Sequence, residues 1–175
     1  MALLEQQNFM ARIFTDENLR QSFWENPEKI GQEHGLSEIE VAQMKEIIPD
    51  DLNFFADSLF HKRFHEVEKL LPLTKKSLGN EFLKIFREFS NQFQPVTVKK
   101  HLEDAIQFCK YLQSQKIEPM YAKDSAKFEQ TKHEFFSEGK FLSFCLLRYN
   151  VYNSKKKLGF AVWYRIGNRS HHFIL

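Results

Sequence analysis

After Glu138 the sequence contains no aspartate or glutamate: residues 139 to 175 carry seven Lys or Arg and not one acid. That absence excludes a local general base, and an oxygen-rich site for a hard cation, from this stretch. Cysteine is scarce too. The two present, Cys109 and Cys145, lie in apolar contexts without CxxC spacing, which argues against a zinc site or disulfide and reads as buried thiols of a reducing compartment. No glycine-rich phosphate loop and no nucleophile elbow is present. No apolar run approaches membrane-spanning length, and residues 1 to 14 lack the sustained apolar core of a signal peptide, so a cytoplasmic protein without membrane contact is expected. These absences point to binding rather than chemistry, and no enzyme activity is expected in this chain alone.

What is abundant is phenylalanine, 19 residues in 175, so aromatic rings supply an unusual share of the core. Charge is unevenly distributed. Residues 1 to 51 carry four basic and eleven acidic side chains, whereas residues 52 to 175 carry 21 basic and twelve acidic, giving net charges of −7 and +9 that add to +2. Two solvated surfaces would produce this pattern, and so would an anionic partner on the C-terminal side.

Apolar spacing predicts helices through residues 3 to 14, then from Thr15 as N-cap to about Trp24, and again from a Ser37/Glu40 capping box to Pro49. A longer helix is predicted over 51 to 71, with Pro72 opening a short one that Gly79 breaks. Further helical stripes occupy 81 to 93, 98 to 115 and 120 to 136. After Gly139 come three short runs rich in β-branched and aromatic residues, 141 to 149, 158 to 166 and 169 to 175, with Gly167-Asn168 as a hairpin turn. The expected fold is mostly α (α+β): a bundle of about six helices followed by a small C-terminal antiparallel β-sheet of about three strands. Its expected parts are an acidic helical unit (1–48), a helical body (49–137) and a basic sheet (138–175).

The stretch Phe55 to Phe93 resembles a helical family labelled as DNA-binding, through Pro72, Thr74, Leu78, Gly79, Phe82 and Phe89. Downstream, Tyr121, Asp124, Ala126 and Glu129 match that family's Tyr-x-x-Asp-x-Ala-x-x-Glu motif. The family includes partner proteins of multinuclear non-haem iron enzymes in ribosomal-peptide (RiPP) biosynthesis, and the methanobactin-pathway partner is similar in plan. The resemblance covers roughly residues 52 to 137. It implies a chain without a cofactor of its own that docks the iron enzyme through the 55–93 face, here Phe60, His61, Arg63 and Arg87, and holds the precursor peptide on its C-terminal sheet. The opening unit, through Phe14, Asp16, Leu19, Phe23, Pro27, Gly35 and Leu36, is similar to the small helical subunit of some extradiol dioxygenases and to Nif11-like leader segments. That likeness implies a helical hairpin without dioxygenase chemistry, since the metal ligands there belong to the other subunit.

Several residues admit a plainer reading beside a functional one. His61 and His65 are four apart on one helical face, as metal ligands can be, but HKRFH lacks the glutamate of HExxH and sets Lys62 and Arg63 beside them; no metal is expected. His171 and His172 are adjacent in a strand and face opposite ways. In the tail, Trp163 and Tyr164 are candidates for a stacking surface, and Arg148, Arg165 and Arg169 for pairing with carboxylates or phosphates. Equally, Trp163 suits a core and the cations suit edge protection. Three functions follow as expectations: peptide recognition beside an iron enzyme, a DNA-binding regulator, or a helical subunit of a dioxygenase. No helix shows the dense Arg/Lys and Asn/Gln face of a major-groove reader.

Overall fold

A computed structural model describes residues 2–175, with side chains from Glu5 onward. Among them the chain forms nine helices and a three-stranded antiparallel sheet at its C-terminal end. The count exceeds the expected six because the short stretches at 15–24, 37–49 and 72–79 each form a helix of their own, and Pro27–Glu33 adds one more. The helices are α1 (Ala2–Thr15), α2 (Glu17–Glu25), α3 (Pro27–Glu33), α4 (Glu38–Lys45), α5 (Pro49–Leu70), α6 (Pro72–Leu78), α7 (Glu81–Gln92), α8 (Lys100–Ser114) and α9 (Tyr121–Ser137); the strands are β1 (Leu142–Tyr149), β2 (Lys156–Ile166) and β3 (Arg169–Ile174). Among the described residues no helix is long and apolar enough to cross a membrane.

Local chemistry sets the breaks. The cap of α2 is Asp16, one residue beyond the expected Thr15: its carboxylate accepts from the Leu19 N–H at 3.0 Å, while the Thr15 hydroxyl turns back to the Ala11 carbonyl. Asn26 then caps α3, with Pro27 at its first position, a helix the apolar spacing did not announce. The Ser37/Glu40 capping box opens α4 as expected. Pro49 opens α5 rather than closing the helix before it, because α4 already ends at Lys45.

Two compact units divide the chain, the boundary falling inside α5. One comprises the residues up to Arg63 together with Ser90–Phe93; the other comprises Phe64–Phe89 and Gln94–Leu175. The first has its own core of Phe9, Ile13, Leu19, Phe23, Leu36, Val41, Met44 and Leu52. Phe9 meets Phe23 edge-on at 5.3 Å. In this unit the Arg63 guanidinium donates to the carbonyls of Phe93 (2.7 Å) and Ser90 (3.5 Å), groups that a helix end leaves without an internal partner.

The second unit is built on rings. Phe108 of α8 touches Phe82, Phe86 and Phe89 of α7 at centroid distances of 5.3, 5.1 and 5.3 Å, and Phe64 adds contacts with Phe82 and Phe86. A second cluster, Phe128, Phe135, Cys145, Leu147, Val151, Ala161 and Trp163, joins α9 to the inner face of the sheet. Strand order is β1-β2-β3, both pairings antiparallel, with β2 in the middle.

Candidate functional site

The sheet is positioned by α9, whose motif residues act at both ends of that task. The Asp124 carboxylate accepts from the backbone N–H groups of Arg148 (2.8 Å) and Tyr149 (2.7 Å), tying the end of β1 where its register with β2 shifts. One turn further along α9, Glu129 reaches the start of α6. Its two oxygens accept from the Leu73 N–H (2.8 Å), the Thr74 N–H (2.9 Å) and the Thr74 hydroxyl (2.6 Å). A carboxylate there satisfies orphan donors and complements the helix dipole. Burial nonetheless pushes the Glu129 pKa upward, outweighing these bonds. Nearby, the His133 ring hydrogen-bonds to the Leu70 carbonyl at 2.8 Å, and burial holds its pKa below the ordinary histidine value.

The two stretches that carry the family resemblance therefore meet: Thr74 is the partner of Glu129. The remaining signature residues are equally architectural. Leu78, Phe82, Phe89 and Ala126 are buried, and Gly79 ends α6 at φ +56°, ψ −128°, a conformation open to glycine alone. These residues account for fold and leave function to others.

Register defines what the sheet offers. Leu142, Phe144 and Leu146 of β1 stand opposite Tyr164, Val162 and Phe160 of β2; Val162 and Tyr164 in turn stand opposite Phe173 and His171 of β3. All of these side chains share the face turned away from α9. Leu142, Phe144, Leu146, Leu158, Phe160, Phe173 and Leu175 are 41–73% exposed. The expected binding residues distribute around this face unequally. Trp163 is 2% exposed and packs on Phe128 at 4.9 Å: it is core, because odd-numbered β2 residues point at α9. Arg165 shares that inner side, its guanidinium 5.2 Å from the centre of the Phe135 ring, so it is a packing cation. Tyr164 lies on the open face, stacked on His171 at 5.3 Å. Arg148 and Arg169 are exposed at opposite ends, Arg148 at the β1 irregularity and Arg169 beside the β2–β3 turn.

Both outer strands lack a strand partner on their far side among the described residues. The Arg165 N–H donates to the Phe141 carbonyl, so alternation directs the backbone groups of Leu142, Phe144 and Leu146 outward. Phe160 and Leu175 exchange both bonds, which likewise turns those of Ser170, His172 and Ile174 outward.

On the helical side, Phe60 and Arg87 are half-buried and His61 is exposed, its ring 5.4 Å from that of Phe60. Arg63 is engaged at the Ser90 and Phe93 carbonyls. His65 pairs with Glu68 at 2.9 Å, and no three His, Cys, Asp or Glu side chains converge as a metal site among the described residues. The open apolar face was the feature missed from sequence. Its signal was present: FLSFCLL is apolar at both odd and even positions, the pattern of a strand with two apolar faces.

Compared with models of known protein families and with curated proteins, the sequence matches none.

Proposed function

We propose that this chain is a non-catalytic recognition partner of a multinuclear non-haem iron enzyme in ribosomal-peptide modification, receiving the precursor peptide as an added strand on its C-terminal sheet. The observation that carries this reading is the pair of unpaired edges flanking a central β2. Main-chain pairing at such an edge supplies affinity for an extended segment whatever its sequence, and neighbouring side chains supply selection. Arg148 and Arg169 flank the edges, and the stretch after Glu138 contains no acid to repel acidic residues of a leader. The resemblance supplies the enzyme partner, with Phe60, His61, Arg63 and Arg87 as the docking residues it implies.

Proline tests strand addition directly, since it removes an outward N–H without touching the inner ladder. Phe144→Pro blocks the β1 edge and His172→Pro the β3 edge. Titrating an extended acidic peptide, standing in for a precursor leader, into each variant should show binding lost in one of them, identifying the edge; binding retained in both rejects strand addition. Co-expression with any multinuclear non-haem iron enzyme encoded beside it should yield a stable complex, and a chain that purifies alone counts against the partnership.

The +9 charge of residues 52 to 175 favours a second reading, duplex-DNA binding. It requires affinity for an arbitrary duplex that falls steeply with added salt.

A further inference from the structure

The open face of the sheet is uncharged at its centre and larger than a lone protein surface ordinarily tolerates. At roughly 150–250 Å² for each phenylalanine, and the low end of that range for each leucine, the exposed fractions given above amount to on the order of 600–700 Å² of apolar surface. Two such faces together approach the roughly 1,200–2,000 Å² of a stable specific interface. We infer that this face pairs with the same face of a second copy of the chain, forming a two-fold sandwich of sheets.

The shape of the face makes it self-complementary. Three rows cross the strands: Leu142–Tyr164–His171, then Phe144–Val162–Phe173, then Leu146–Phe160 with Leu175 bonded beside it. Val162 is the small residue at the centre, ringed by larger ones, and Phe160 is the large residue one row away. A two-fold axis lying across the strands between these rows sets Phe160 of each copy over Val162 of the other. Both contacts then form at once, as an isologous interface requires. Sheets packed face to face at about 10 Å interdigitate their side chains in this way.

Charge opposes the contact only at its ends. Arg148 and the Lys155–Lys157 run lie at one end of the strands and Arg169 at the other, so the two-fold brings basic ends together. Screening relieves this repulsion while leaving apolar burial intact. Self-association therefore tightens as salt rises from 0.1 M, where the Debye length is about 10 Å, to 1 M, where it is about 3 Å. An acidic occupant of the same face would respond in the opposite sense. Pairing of the faces leaves the β1 and β3 edges open, so this inference stands whether or not a peptide adds there.

Sedimentation equilibrium of the full chain over a wide micromolar range, at both salts, is the test. A monomer–dimer equilibrium that tightens with salt is expected. Phe144→Glu, at a position already 73% exposed, should keep the native circular dichroism and weaken association by about a hundredfold or more, since it places an unpaired carboxylate in an apolar contact. Val162→Phe fills the recess that receives Phe160 and should weaken it by about tenfold. A chain monomeric at every concentration and salt overturns the inference, as does a dimer that Phe144→Glu leaves intact or Val162→Phe strengthens.

Discussion

Glu129 shows how one buried acid serves two segments more than fifty residues apart. Its carboxylate accepts three hydrogen bonds from Leu73 and Thr74 while burial raises its pKa. The folded chain thus holds the proton to a higher pH than the unfolded chain does. Stability contributed at this site is fullest below the unfolded value of about 4.3 and declines as pH rises through the raised folded value. Glu129→Gln removes that decline. Gln is neutral like the protonated acid and keeps a carbonyl acceptor, so at the acid end of the range the two chains are close in stability. Urea unfolding of both chains from about pH 4 to 8 should show the two closest in stability at low pH, with the variant gaining on the native chain as pH rises. The sequence carried the identity of this residue through its motif but not its role, because helical spacing says nothing about which distant backbone a side chain will meet. Trp163 illustrates the same limit: strand alternation placed it opposite Tyr164, but which of the two faces was covered depended on α9.

At the scale of elements, helix boundaries followed the caps and breakers that sequence displays, as at Ser37, Pro72 and Gly79. The misplacements had different causes: at Thr15 the adjacent Asp16 also offers a cap, and before Pro49 the α4 helix has already ended at Lys45. Strand positions were legible from composition and from the Gly167-Asn168 turn, whereas sheet order and free edges required the register. The tie between α9 and β1 makes a separate prediction. Asp124→Ala strips the acceptor from two backbone N–H groups, and a net worth of about 0.5–1.5 kcal/mol per hydrogen bond implies a loss of roughly 1–3 kcal/mol. Amide exchange should accelerate first at Arg148 and Tyr149. Equal acceleration throughout the sheet would assign Asp124 a global rather than a local part. Gly159 marks another constraint on this sheet, since a Cβ there would come within 2.1 Å of the Leu175 carbonyl oxygen, closing the space in which the β3 end lies against β2.

The whole chain is an electrostatic couple rather than a near-neutral particle. Its +2 net charge conceals −7 over residues 1 to 51 and +9 over the rest, and association responds to local fields more than to the total. On a cation-exchange or heparin matrix at neutral pH, the chain should elute at higher salt than its net charge suggests. Lys156→Glu with Lys157→Glu should shift that elution earlier without altering the fold, both lysines being exposed. An unchanged elution would locate the anion-attracting field elsewhere. This polarity was fully readable from sequence, because charge counts need no register, while the apolar open face was not. Its residues alternate with buried ones in strands so uniformly apolar that only the placement of α9 separates core from surface.

The Asp124 tie also gives the β1 edge an origin. With the Arg148 and Tyr149 N–H groups already occupied, backbone pairing along this edge has a fixed stop at one end and an open approach from Leu142 at the other. A strand laid against it finds no free N–H beyond Leu146, so the ladder it can form ends there. Shifting by one residue would turn every alternate side chain from the open face to the covered one. Under the proposed strand addition at this edge, the carboxylate on α9 works as a ruler's zero for the added strand.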